Sequence, residues 1–181
     1  KGRAMAGRDI TIREADSASD IEKVRQLISA FYDELDENLD FQGIDGELQS
    51  LPGKYSKDQN GNLLVVDVKS NEGEVETVGC VAIKNMTGKI TDEDGNMEDA
   101  SSSPLTAEVK RLFVLPEYRS LKLGRLLMHA IEEKAKEQGY RRLILDSLRR
   151  LEAAVALYKR LGYSERKPYY HNPLDGVVYM T

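Results

Sequence analysis

One stretch, Ala107 to Met128, limits the possible folds of this chain more than any other, because one periodicity gives way to another inside it. Val109, Phe113 and Leu115 are interleaved with Glu108, Leu112 and Val114, and the run is rich in β-branched and aromatic residues, which predicts a strand over Glu108–Leu115. Pro116 ends it, since proline donates nothing to a sheet ladder. Arg119, Lys122 and Arg125 then crowd a short connection. Beyond them Leu123, Leu126, Leu127, Ala130 and Ile131 fall on one helical stripe. A strand therefore delivers the chain to a helix N-terminus ringed by cations. Free amides and the positive end of the helix dipole make such a point an anion site. The ligand it suits carries a phosphate or pyrophosphate.

Two common phosphate loops are excluded. The chain contains neither Gly-x-x-x-x-Gly-Lys-Ser/Thr nor Gly-x-Gly-x-x-Gly. It does contain Arg119-Ser120-Leu121-Lys122-Leu123-Gly124, which resembles the acyl-CoA signature of the GNAT superfamily of N-acetyltransferases, Arg/Gln-x-x-Gly-x-Gly/Ala. Arg119 and Gly124 match, and Lys122 stands where the pattern has its first glycine.

Composition sets the bounds. A chain of 181 residues is long enough for one domain with a sizeable core. Apolar residues make up 40% and charged residues 31%, as in a water-soluble globular protein. The net charge of −5 argues against nucleic acid as a partner. A single cysteine, Cys80, cannot form an internal disulfide and reads as filler in an apolar strand. No run reaches the ~18 apolar residues of a membrane span and no signal peptide is visible, so a cytoplasmic location is expected. Lys1 to Gly7 reads as an expression remnant, leaving a single domain over residues 8–181.

In order, Ile10–Arg13 is a short strand, and Asp16 or Ser17 caps a helix with Ile21, Val24, Leu27, Ile28, Phe31 and Leu35 on one face. Acidic residues Asp33, Glu34, Asp36, Glu37 and Asp40 follow, then a second short helix over Gly43–Ser50. Leu63–Val68 and Val75–Lys84 form an antiparallel hairpin about the turn at Asn71–Glu74. Met86–Pro104 reads as one long mobile loop. After the central strand and helix come a cap at Gly139, a buried strand at Leu143–Leu145, a helix over Leu151–Leu161 closed by Gly162, and a last strand at Val177–Met180. A meander followed by a strand–helix–strand unit predicts a mixed α/β layer structure with one parallel pair.

The resemblance extends along nearly the whole chain from Asp9. Ala156-Leu157-Tyr158-Lys159-Arg160-Leu161-Gly162-Tyr163 is similar to the family's Ala-x-Leu-Tyr-x-x-x-Gly-aromatic segment, and Asp146-Ser147-Leu148 resembles members that act on small amines. The implied fold is the GNAT acyl-CoA N-acyltransferase fold, a central mixed sheet of about seven strands with helices on both faces. The implied cosubstrate is acetyl-CoA, held in a gap between the family's fourth and fifth strands, here Glu108–Leu115 and Leu143–Asp146. By the same resemblance the backbone of Leu112, Phe113 and Val114 binds the pantetheine arm, and an amide near Val114 stabilises the oxyanion. The amides from Ser120 through Leu121, Lys122, Leu123 and Gly124 to Arg125 hold the pyrophosphate, and Ser147, Leu157 and Tyr158 also line the cofactor site.

The implied reaction is attack of a primary amine, on a small molecule or peptide, at the thioester. A free alkylamine has a pKa of roughly 10, so a base must take a proton and the leaving thiolate needs one. Glu108, in a string similar to the Glu-Val-x-x-Leu-x-Val of histone-type members, is the candidate base, placed on the strand face of Leu112 and Val114; the other reading is a carboxylate paired with Lys110 or Arg142. Tyr158 is the candidate acid, against a core tyrosine on an amphipathic helix. The competing function is a non-catalytic acyl-CoA-binding domain. His171 falls in a loop that the fold brings near the acceptor end, or is simple turn chemistry. The acidic residues Asp33 to Asp45 border that end and favour a cationic amine. No metal is expected, since Asp92, Glu93, Asp94 and Asp99 lack calcium-loop spacing. Oligomeric state, a homodimer included, is left open.

Overall fold

Leu63 to Val66 is apolar at every position, which suits a strand covered on both faces. The computed structural model describes residues 9–35, 43–92, 96–100 and 105–181, and there this run is the middle of β2 (Asn62–Lys69), buried at all but its last residue. Its partners in chain order are β1 (Asp9–Glu14), β3 (Val75–Asn85), β6 (Thr106–Val114), β7 (Arg142–Leu148), β8 (Glu165–Arg166) and β9 (Val177–Met180). They make a seven-stranded sheet in the order β1-β2-β3-β6-β7-β9-β8, in which only β6 and β7 run parallel.

Helices cover both faces. α1 (Ala18–Leu35) and α2 (Ile44–Ser50) lie on one side, where Val24, Leu27 and Ile28 pack with Leu63, Val65, Cys80 and Phe113. α3 (Leu123–Glu137) and α4 (Glu152–Arg160) lie on the other, where Leu123, Leu127, Ile131 and Val155 meet Leu64, Val66, Val81 and Val109. Of the two expected caps for α1, Ser17 is the one used. Its hydroxyl accepts from the Asp20 amide at 3.1 Å, and Asp20 accepts from the Ser17 amide at 3.1 Å. Gly79 has a packing reason to be glycine, since a Cβ there would stand 2.7 Å from the Phe113 carbonyl oxygen on β6.

One expectation is corrected. Met86–Pro104 is not one loop: β4 (Lys89–Thr91) and β5 (Met97–Asp99) pair as a hairpin. The reason is burial, for Ile90 and Ala100 pack with Ile144, Tyr169 and Tyr179, and Glu98 pairs with Arg142. The edge strand β8 also went unforeseen; with two residues it carries no periodicity.

Candidate active site

The site begins where the parallel pair ends. β6 and β7 are in register only from Thr106–Arg142 to Glu108–Ile144. Past that point no strand among the described residues lies beside the β7-facing edge of β6. A bulge at Arg111 bends β6 there, with φ of +59° and a register shift against β3 between Cys80 and Ala82. Into this gap opens a cavity of about 1090 Å³, lined by Leu112, Phe113 and Val114 of β6, Ser147 of β7 and Leu157 and Tyr158 of α4.

One end of the cavity is cationic. Pro116–Leu121 forms a tight 3₁₀ turn, Lys122 follows in the left-handed conformation (φ 57°, ψ 27°), and α3 starts at Leu123. Arg119, Lys122, Gly124 and Arg125 line the cavity. Ser120 and Leu121 lie in the turn beside it, and the Leu123 side chain is fully buried in the core. Gly124 leaves open room: a Cβ there would meet only Leu157 Cδ2, at 3.5 Å. Arg119 is engaged, donating to the Val114 carbonyl at 3.1 Å and pairing with Glu34 of α1 at 2.5 Å. The left-handed backbone explains why a glycine suits position 122. Lys122→Gly is expected to stabilise the fold by about 0.5–1 kcal/mol, the relieved strain less glycine's chain entropy, and a denaturant midpoint that falls instead would contradict this.

Tyr158 stands at the gap. Its hydroxyl makes no hydrogen bond among the described residues, and its ring packs edge-on against Tyr163 at 6.1 Å. Burial, with the nearby Asp146 charge, pushes its pKa well above the usual tyrosine value, so it stays protonated.

Glu108 is placed differently from expectation. The bulge reverses the alternation of β6, so Ala107 and Val109 share the α3 face with Leu112 and Val114, and Glu108 lies on the α1 face. It is absent from the cavity wall. Its oxygens accept from Lys84 at 2.7 Å, Lys110 at 3.1 Å and Tyr169 at 2.7 Å. Burial opposes its ionisation, but the two lysines outweigh burial and hold its pKa below the usual range, which makes it a weak base. The paired-carboxylate alternative fits this position, with Lys110 and Lys84 as partners; Arg142 pairs with Glu98 instead.

Lys110 and Asp146 face the cavity and span the gap as an ion pair at 2.8 Å. Asp146 also accepts from Tyr170 at 2.8 Å and Asn172 at 3.2 Å. Deeper under α2, Glu47 binds Arg111 through Nε at 2.5 Å and Nη2 at 2.7 Å, and accepts from Tyr55 and Lys54. Sequence reasoning missed Lys110, Arg111, Glu47 and Tyr32 as members of this site. Only the two adjacent cations inside an apolar strand could have signalled them. Cys80 is fully buried, its thiol pushed up to about 12 by burial, as its filler reading expects. His171 is exposed and off the main cavity wall, though its neighbours Tyr170 and Asn172 hold Asp146. Asp36, Glu37, Asp40, Glu93, Asp94 and residues 1–7 lie outside the described residues.

Known proteins share this fold. Residues 22–163 match the acetyltransferase (GNAT) family. An uncharacterized N-acetyltransferase of Schizosaccharomyces pombe is 34% identical over 97% of this chain and 96% of its own. One from Dictyostelium discoideum is 26% identical over 91% and 94%. Among solved structures, an acetyltransferase from Streptococcus agalactiae superposes with a TM-score of 0.66 at 18% identity, over 94% of this chain and 96% of that one. A Salmonella typhimurium protein solved with its cofactor acetyl-CoA superposes at 0.63 and 17% identity, over 95% and 92%. With the family's matched segment spanning both the cation-ringed helix start and the Leu157-Tyr158 segment, this chain belongs to the GNAT family of acetyltransferases.

Proposed function

We propose that this protein moves an acetyl group from acetyl-CoA to the primary amine of a small molecule or peptide, by direct attack. One observation carries the reading: a single cavity joins a cation-lined helix start to a strand gap lined by Tyr158 and Asp146. The residues present fit the cofactor. Arg119, Lys122 and Arg125 suit a pyrophosphate, and the space above Gly124 admits its close approach. The β6 edge beyond Glu108 has backbone groups to offer an extended amide-bearing arm.

When bound, acetyl-CoA supplies a thioester carbonyl as electrophile. The protein's part is placement and protons. Tyr158 Oη holds a proton at the gap, where a sulfur leaving group needs one. Asp146 stays ionised beside it, because Lys110 outweighs the effect of burial, and its charge draws an ammonium to the gap, whose proton passes to water before the neutral amine attacks. Glu108 holds Lys110 from behind and, through it, Asp146. It serves as a positioning residue and not as the base in contact.

Acetyl-CoA is expected to stabilise the native protein by mass action, by about 2.7 kcal/mol at a hundredfold excess over Kd, and so to raise the melting temperature. Gly124→Leu, a good helix former, is expected to keep the fold and lose the shift, because its side chain fills the space beside Leu157. Thiol release measured against a panel of amines tests transfer itself. A melting shift with no release under any amine would favour a binding domain over an enzyme.

A further inference from the structure

The carboxylates of the acceptor side are saturated, and what is left over is donors. Glu47 accepts from Arg111, Tyr55 and Lys54, and Asp146 accepts from Lys110, Tyr170 and Asn172. Arg111, however, spends only Nε and Nη2 on Glu47, and its Nη1 makes no hydrogen bond among the described residues. Tyr32 of α1 lies against the same guanidinium, its ring centre 5.3 Å from Cζ. Its hydroxyl is shut off from solvent and has no partner among the described residues. A buried hydroxyl left so is costly, and in a native structure it calls for a reason. Both side chains line the cavity.

The backbone supports the same view. Arg111 is a bulky residue held at φ +59°, a conformation that disfavours all but glycine and short polar residues. The bulge it forms turns two consecutive side chains, Lys110 and Arg111, to one face of β6, which an unbroken strand cannot do. The result is a second cation on the cavity wall, close under the α1 helix. Beside the two committed carboxylates Glu47 and Asp146, a spare guanidinium N–H and a spare hydroxyl on one patch of the wall match an acceptor-only ligand group, planar and anionic.

We infer that the acceptor is a small amine that also carries a carboxylate, and that Arg111 and Tyr32 bind that carboxylate. The inference rests on the reading of the gap as an acetyl-transfer site. It replaces the cationic acceptor suggested by the acidic residues at and beyond the end of α1, of which Glu34 is already committed to Arg119.

The test is thiol release from acetyl-CoA by the full chain, with a panel of amino acids, each beside its carboxamide and its decarboxylated amine. The best acceptor is expected to carry a free carboxylate and to exceed its own carboxamide in kcat/KM by at least about tenfold, mostly through KM. Tyr32→Phe is expected to shrink that ratio severalfold, and Arg111→Lys to shrink it further. Should Arg111→Lys fail to fold once Glu47 loses its bidentate partner, Tyr32→Phe decides alone. Carboxamides or plain amines that equal the acids would overturn the proposal, and so would a ratio that survives Tyr32→Phe. Acetyl-CoA binding with no panel member acetylated also overturns it while sparing the cofactor reading. Failure of acetyl-CoA to shift the melting curve would instead strike the acetyl-transfer reading beneath it.

Discussion

Tyr158→Phe is expected to lower the turnover number by about 10²–10⁴, the usual worth of general acid catalysis, while leaving the fold and the acetyl-CoA melting shift in place. The ring stays, and with it the contact to Tyr163; the hydroxyl that is lost has no protein partner to strand among the described residues. The loss should depend on the donor. A more acidic leaving thiol needs the proton less, so the deficit shrinks along a series of acyl donors of falling thiol pKa. Turnover of both proteins across such a series gives the answer. A deficit that is constant along the series, or that comes with a lower melting temperature, would make Tyr158 a packing residue.

Lys110→Met is expected to be the most damaging single change to stability, at about 3–5 kcal/mol, or roughly 6–20 °C in melting temperature. Lys110 is nearly buried and neutralises both Glu108 and Asp146. Glu108 keeps Lys84, but Asp146 is left with only the neutral donors Tyr170 and Asn172. The pH dependence has a definite sign. In the native protein both carboxyls have pKa values below the usual range, so their contribution is complete above that range and fades as the pH falls through the lowered values. Without the lysine, burial governs Asp146 and raises its pKa. The variant's deficit is then largest near neutrality and narrows in acid, where Asp146 takes up a proton. Melting curves from pH 7 to pH 4 test this, and a small deficit that does not change with pH would reduce the pair to the standing of a surface ion pair.

The fold was legible because its signals are local. β2 reads as a two-faced apolar run, α3 as a clean stripe, and Ser17, Gly139 and Gly162 as helix punctuation; the two glycines adopt φ of +87° and +98°. The cationic end of the site was legible for the same reason, being one contiguous turn. The acceptor side was not. Strict alternation assigns Glu108 to the face of Leu112, and nothing in the residues near Arg111 announces the extra residue that reverses the count. Position 111 lacks the glycine that often marks a bulge. The partners of Lys110 and Arg111 come from β7 and α2, 36 and 64 residues away in sequence, a distance over which no periodicity carries information. The Ile90–Ala100 hairpin was hidden by the acidic, serine-rich residues around its few apolar ones.

The short register between β6 and β7 has a mechanical consequence. The backbone ladder between the four-stranded meander and the three-stranded remainder is only three residue pairs long, with Lys110–Asp146, Glu108–Tyr169 and Arg142–Thr106 as side-chain bridges beside it. The sheet is therefore two plates joined by a short backbone seam and by the apolar core that both share under α3 and α4. Whatever lies in the opening touches both plates and acts as a strut between them. Occupancy therefore adds to the rigidity that the shared core already gives. The work of prising the plates apart rises when a guest lies between them.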